Sequence, residues 1–93
     1  MIISFRHKGL QELFKEGATH RLPQDKIKKI DKLLWVLNEA GDLRDLNRPG
    51  LRLHRLKKPP YDGFYSIDVS GNYRIVFLFY DGQVSECDYL DTH

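Results

Sequence analysis

The sequence predicts an α+β domain in which two N-terminal helices pack on a twisted, mostly antiparallel sheet, in the order β-α-α-β-β-β-β. Three observations carry that expectation. Residues 24–40 repeat apolar side chains at helical spacing, with Ile27, Ile30, Leu33, Leu34 and Leu37 on one face. The C-terminal half switches to the two-residue alternation of strands, as in "FYSIDVS" and "QVSECDYL". Within that half "SGN" and "DG" punctuate the chain as tight turns, so the last three strands should form an antiparallel meander. Such a sheet has an apolar face to bury, and two amphipathic helices supply the cover.

The elements follow in order. "MIISF" is short, apolar and β-branched, and reads as a strand over residues 1–5. "HKGLQELFKEG" places Leu10, Leu13 and Phe14 at helical spacing, with Gly17 positioned to end the helix in the left-handed conformation. After the short connection "ATHRLP", Pro23 suits the first turn of the second helix, where its missing N–H has no partner to lose. Gly41 stops that helix, and "GDLRDLNRPG" forms a loop or short turn. "LRLHRL" alternates, Leu51 and Leu53 on one face and Arg52 and His54 on the other. "KKPPYDG" interrupts the pattern, because two prolines cannot sit inside a central strand. "YRIVFLFY" is apolar on both faces apart from Arg74, the mark of a buried central strand.

At 93 residues the chain makes one domain, residues 1–93, large enough for a modest core without disulfide or metal. Its hydrophobic fraction of 41% and charged fraction of 30% are those of an ordinary globule. No apolar run approaches the roughly 20 residues of a membrane span. Charge also arrives at Arg6, too early for a secretory leader, so a cytoplasmic location without membrane contact is expected. The single cysteine, Cys87, cannot form an internal disulfide and reads as a small core residue. Net charge is only +2, but its signs are segregated. Arg48, Arg52, Arg55, Lys57 and Lys58 occupy residues 48–60 with no carboxylate among them, whereas Asp81, Glu86, Asp88 and Asp91 occupy residues 81–93 with no lysine or arginine. That pattern favours a binding surface on the basic stretch. Lys28, Lys29 and Lys32 form a second basic stripe, either a solvated helix face or a track for a phosphate backbone or an acidic partner.

Several chemistries lack their signatures. There is no glycine-rich phosphate loop, no HExxH, no paired cysteines and no nucleophile elbow, and no two of His7, His20, His54 and His93 share helical metal-site spacing. No cofactor is expected. Arg74 must find a partner inside an apolar strand. Either it pairs with a C-terminal acid such as Asp88 or Asp91, or it faces an open cleft and forks onto a phosphate. Together with His54, Lys57 and His93 it completes an inventory for metal-free RNA cleavage. That reaction needs a base for the ribose 2′-hydroxyl, cations for the phosphate and an acid for the leaving 5′-oxygen. RNA brings its own nucleophile, so no activated serine or metal-bound water is required.

"FRHKGL", "LHRLK", "GFYSIDVSGNYRIVF" and the final "DYLDTH", in this order over almost the whole chain, resemble the HigB-type toxins of the RelE superfamily. The resemblance implies a RelE-like fold and a ribosome-dependent mRNA endonuclease of a type II toxin–antitoxin pair, acting in the decoding site without metal. It implies as partners a helix-turn-helix antitoxin of the HigA type, the 70S ribosome and mRNA, with operator DNA reached only through the antitoxin. Matched residue by residue, Lys57 takes the place of the family's catalytic lysine, Arg74 that of the arginine on the scissile phosphate, and Asp91 and His93 those of the C-terminal acid and histidine. His54 matches a histidine of the same cleft, and Arg52, Arg55, Lys58, Tyr89 and Thr92 join it as expected RNA contacts. The carboxylate beside His93 would favour its protonated form, which suits a general acid. Where the family often has "DYH", Thr92 stands in place of the tyrosine. Stacking then passes to Tyr89, or cleavage is weaker or differently selective. The rival readings are a non-catalytic module kept for operon repression, a free-standing nucleic-acid-binding domain and a metal-dependent nuclease.

Overall fold

A computed structural model describes residues 1–92. Helix α1 spans Lys8–Glu16 and helix α2 spans Ile27–Glu39; four strands follow, β1 His54–Arg55, β2 Tyr65–Asp68, β3 Tyr73–Tyr80 and β4 Gln83–Asp91. The strands lie in the order β1-β2-β3-β4, every neighbouring pair antiparallel. This is the expected α+β meander, and the local reasons are those the sequence suggested. Gly17 ends α1 at φ 72°, its N–H closing on the Leu13 carbonyl at 3.0 Å. Asp81 and Gly82 both take positive φ, 50° and 77°, as a two-residue hairpin loop between Tyr80 and Gln83 requires. Pro23 opens a 3₁₀ turn, Gln24–Lys26, which leads directly into α2.

The core lies between the helices and one face of the sheet. Leu10 and Leu13 of α1 and Ile30, Leu33, Leu34 and Leu37 of α2 pack with Ile67, Ile75, Phe77, Val84 and Cys87. Burial raises the Cys87 thiol pKa far above its ordinary value, so the thiol is a small core group. Strand alternation sends Ser66, Asp68, Arg74 and Val76 to the opposite face, which carries no helix. Among the described residues no helix is long and apolar enough to cross a membrane.

Two expected strands are shorter than their patterns. Residues 1–5 run parallel to β4 but make only two isolated bridges, Ile2 with Val84 and Phe5 with Cys87. The interruption has a cause in β4. Glu86 and Cys87 together oppose the single residue Phe77, a bulge that puts Glu86 at φ 51°. At that point the Glu86 N–H donates to the Ser4 hydroxyl at 2.9 Å instead of to a carbonyl. The "LRLHRL" run pairs only at His54 and Arg55, because Arg52 adopts φ 53° and kinks the chain. The alternation still holds: Leu51 is buried and Leu53 half-buried, while Arg52 and His54 are exposed. Burial of β3 is confined to its middle, and Tyr80 at its end is 83% exposed.

His7 caps α1, its Nδ1 accepting from the Leu10 N–H at 3.2 Å, the task usually given to Ser, Thr, Asp or Asn. Burial is the main cause that lowers its pKa from the ordinary 6.5, outweighing the pull of Asp88. The folded state therefore prefers neutral imidazole. Its contribution to stability is complete above 6.5 and is lost as the pH falls from there toward the lower folded value. Urea unfolding across this window should show wild-type stability declining on acidification. His7→Asn, which keeps a cap acceptor that does not titrate, should flatten that decline.

Candidate active site

The loop between β1 and β2 builds the wall of a cleft. It is closed at its base by the Leu56 N–H on the Phe64 carbonyl at 2.8 Å and the Gly63 N–H on the Leu56 carbonyl at 2.9 Å. Its tip turns through a cis Pro59–Pro60 bond, with the Tyr61 N–H on the Lys58 carbonyl at 3.1 Å. Between this loop and the sheet lies a cavity of about 530 Å³, lined by His54 to Tyr61 together with Arg74 of β3 and Leu90 of β4. Its volume is that of a small-ligand site. Three of the cations singled out in the sequence, Lys57, Lys58 and Arg74, meet here along with His54, and Arg55 joins the lining with its guanidinium turned to Tyr65.

Arg74 faces this cleft, but its partner is neither Asp88 nor Asp91. Its Nε lies 3.8 Å from Oδ1 of Asp68, the residue directly opposite it on β2. The other oxygen of Asp68 is 3.2 Å from Nε of Arg52. One carboxylate, 18% exposed, thus sits between two guanidiniums, and Arg74 is 32% exposed. At 3.8 Å the Arg74 contact is an ion pair and not a hydrogen bond, and its buried Nε has no hydrogen-bond partner among the described residues. Arg52 itself points at Asp68 and does not line the cleft. Its carbonyl meets Nδ1 of His54 in a short contact that fixes the imidazole. The Arg55 guanidinium lies over the Tyr65 ring, 5.8 Å from its centroid.

The far end of β4 differs from expectation. Leu90 pairs with Arg74 and shares its face, so Tyr89 and Asp91 point to the other side. There Tyr89 stacks on Tyr73 at 5.4 Å and meets the His7 ring edge-on. Burial, with smaller effects of Tyr73 and Asp91, raises its pKa to about 12. Tyr89, one of the two alternatives for the role of the family tyrosine, thus packs on the helix side of the sheet, on the face opposite Arg74. Asp91 pairs in register with Tyr73 and lies outside the cleft wall. Thr92 is engaged twice with the β2–β3 turn, through its N–H at 2.7 Å and its hydroxyl at 3.0 Å, both on the Asn72 carbonyl. His93 lies outside the described residues.

Over residues 3–93 the chain matches the model of the RelE-like toxins of the type II toxin–antitoxin system HigB. The chain belongs to the HigB-like toxin family. It is 39% identical over 93 residues to the endoribonuclease HigB of Proteus vulgaris, covering both chains completely. It is 33% identical over 95 residues to toxin HigB-1 of Vibrio cholerae, covering all of this chain and 98% of that one. Among solved structures it resembles a chain of the heterotetrameric YoeB–YefM toxin–antitoxin complex of Staphylococcus aureus. That match has a TM-score of 0.60 at 17% identity and covers 100% of this chain and 95% of that one, a likeness of fold.

Three residues of this HigB-like site take roles that the sequence did not suggest. Asp68 had a signal: a turn centred on Gly71 makes residues 68 and 74 partners, and the structure pairs them. Tyr61 and Asp88 had none, being 27 residues apart and joined by a hydrogen bond of 2.7 Å between the phenol and the carboxylate. Among the described residues no group of three or more His, Cys, Asp and Glu side chains is placed to hold a metal ion. Asp68 is the residue whose loss the site should feel most in stability. Asp68→Ala strands the half-buried Arg74 charge and should cost about 1–3 kcal/mol in denaturant unfolding. Arg52→Ala removes the partner that is 69% exposed and should stay within about 0.5 kcal/mol of wild type.

Proposed function

We propose that this chain is the toxin of a type II toxin–antitoxin pair and an endoribonuclease that cuts ribosome-bound mRNA through attack of RNA's own 2′-hydroxyl. The observation that carries the reading is the convergence of Lys57, Lys58 and Arg74 on one cleft, the cations coming from a loop and from the central strand. The full-length likeness to an endoribonuclease supports it. In the reaction the 2′-oxygen forms a bond to phosphorus while the bond to the 5′-oxygen breaks. The 2′-proton passes to a base, and the departing oxygen takes a proton from an acid.

Arg74 forks onto the non-bridging oxygens, and Lys57 meets the charge that gathers on them in the transition state. Held by Asp68, the guanidinium needs no reorganisation at the moment of reaction. His93 serves as general acid. Asp91, two residues before it at the end of β4, serves as its orienter or as the base itself. Arg52, His54, Arg55 and Lys58 hold the RNA backbone around this centre, and Lys28, Lys29 and Lys32, all exposed on α2, add a second basic stripe for ribosomal RNA. The proposed route uses no metal. The partner that silences it is a helix-turn-helix antitoxin of the HigA type, through which alone operator DNA is reached, and the setting is the cytoplasm.

Inducing the chain without its antitoxin should arrest growth and create new mRNA 5′ ends on ribosomes. Arg74→Ala should lower kcat by about 10²–10³-fold, the usual loss for one preorganised donor to transition-state charge. His93→Gln should abolish cleavage while leaving the thermal unfolding curve unchanged. Growth without new 5′ ends would favour a non-catalytic repressor module, and sensitivity to chelator would favour a metal nuclease.

A further inference from the structure

The cations of the cleft account for a phosphate and leave its other wall unexplained. That wall is apolar and stiff: Leu56, Pro59, Pro60 and Leu90, with one aromatic ring, Tyr61. The ring is held on two sides. Its hydroxyl donates to Oδ2 of Asp88 at 2.7 Å, and the ring stands edge to face with Phe64 at 5.2 Å and 76°. A side chain fixed before a ligand arrives loses little rotamer freedom on binding. The bond to Asp88 also raises the phenol's pKa, so the ring stays uncharged. Of the other tyrosines on the sheet, Tyr73 and Tyr89 stack together on the helix side, Tyr65 lies beneath Arg55 and Tyr80 is exposed at the end of β3, and none of them lines the cleft.

RNA carries a base only a few bonds from each phosphate. A cleft that holds one between Arg74 and Lys57 must therefore receive the other on the facing wall. We propose that Tyr61 forms a nucleobase subsite, in which the base beside the scissile phosphate packs on the Tyr61 ring while Asp88 fixes that ring through its hydroxyl. The inference rests on the RNA-cleavage reading above and adds to it the residue that contacts the base. Base–aromatic packing tolerates any base, so the subsite sets affinity and placement of the strand more than a sequence preference.

The test uses ribosome-bound mRNA in two forms, normal and abasic at the cleaved nucleotide, with KM and kcat measured for wild type, Tyr61→Phe and Tyr61→Leu. Tyr61→Leu should raise KM by about 5- to 100-fold with kcat little changed, and Tyr61→Phe, which keeps the ring, far less. The abasic message should raise KM for wild type but add nothing to the loss in Tyr61→Leu, the coupling expected of two groups in contact. Equal losses in Phe and Leu, or losses of ring and base that simply add, overturn the proposal and leave Tyr61 as a latch for the loop. Should Tyr61→Leu fail to fold, wild type on the abasic message decides, and an unchanged KM overturns it. No cleavage of the normal message by wild type is a separate outcome, which removes the RNA-cleavage reading and this subsite with it.

Discussion

A guanidinium in the middle of a sheet is tolerable only if a carboxylate stands beside it, and Asp68 supplies one to Arg74 from the adjacent strand. The open face depends on this pair. Asp68 also engages Arg52, where the chain leaves the core and kinks into β1. From there the chain enters the loop that carries Lys57 and Lys58 to the cleft. One carboxylate therefore braces the cleft-facing arginine and restrains the approach of the loop. The arrangement keeps a strong cation available at a concave surface without leaving it uncompensated when nothing is bound.

The two faces of β4 divide the labour. On the helix side Cys87 and Tyr89 complete the core, and Tyr89 packs against the residue that caps α1. Asp88 and Leu90, between and beyond them, serve the cleft, Leu90 as wall and Asp88 as the acceptor that ties Tyr61 down. Stability and site are thus written into alternate residues of the same strand. A shift of one residue in its register would exchange the two sets.

Much of this was legible before the fold was seen, and the limits are physical. The helix stripe from Ile27 to Leu37, the glycine stop at Gly17 and the "DG" turn act locally, so their outcome follows from neighbouring residues. The basic run from Arg52 to Lys58 pointed to the cleft because strand-end cations and a proline-stiffened loop are also local features. What stayed hidden was set by pairing at a distance. The bulge at Glu86 decides how far the N-terminal segment can pair. Two residues of "DYLDTH" whose types suited RNA point elsewhere or are spoken for, Tyr89 through strand alternation and Thr92 through Asn72. The phenol of Tyr61 finds its carboxylate across 27 positions, with no pattern in the chain to announce it.

The parallel pairing of residues 1–5 with β4 has a consequence for the order in which the protein forms. The contacts Ser4 makes with Glu86 join positions 82 apart, so closing them costs the entropy of nearly the whole chain. The helices and the β2–β3 hairpin are built from near neighbours and have no need to wait for that closure. The first segment of the chain has no edge to lie against until β4 exists, and β4 is also the strand that brings Leu90 and Asp88 to the cleft. Core and site therefore share β4: without it the first segment has no edge to pair with and the cleft lacks its Leu90 wall.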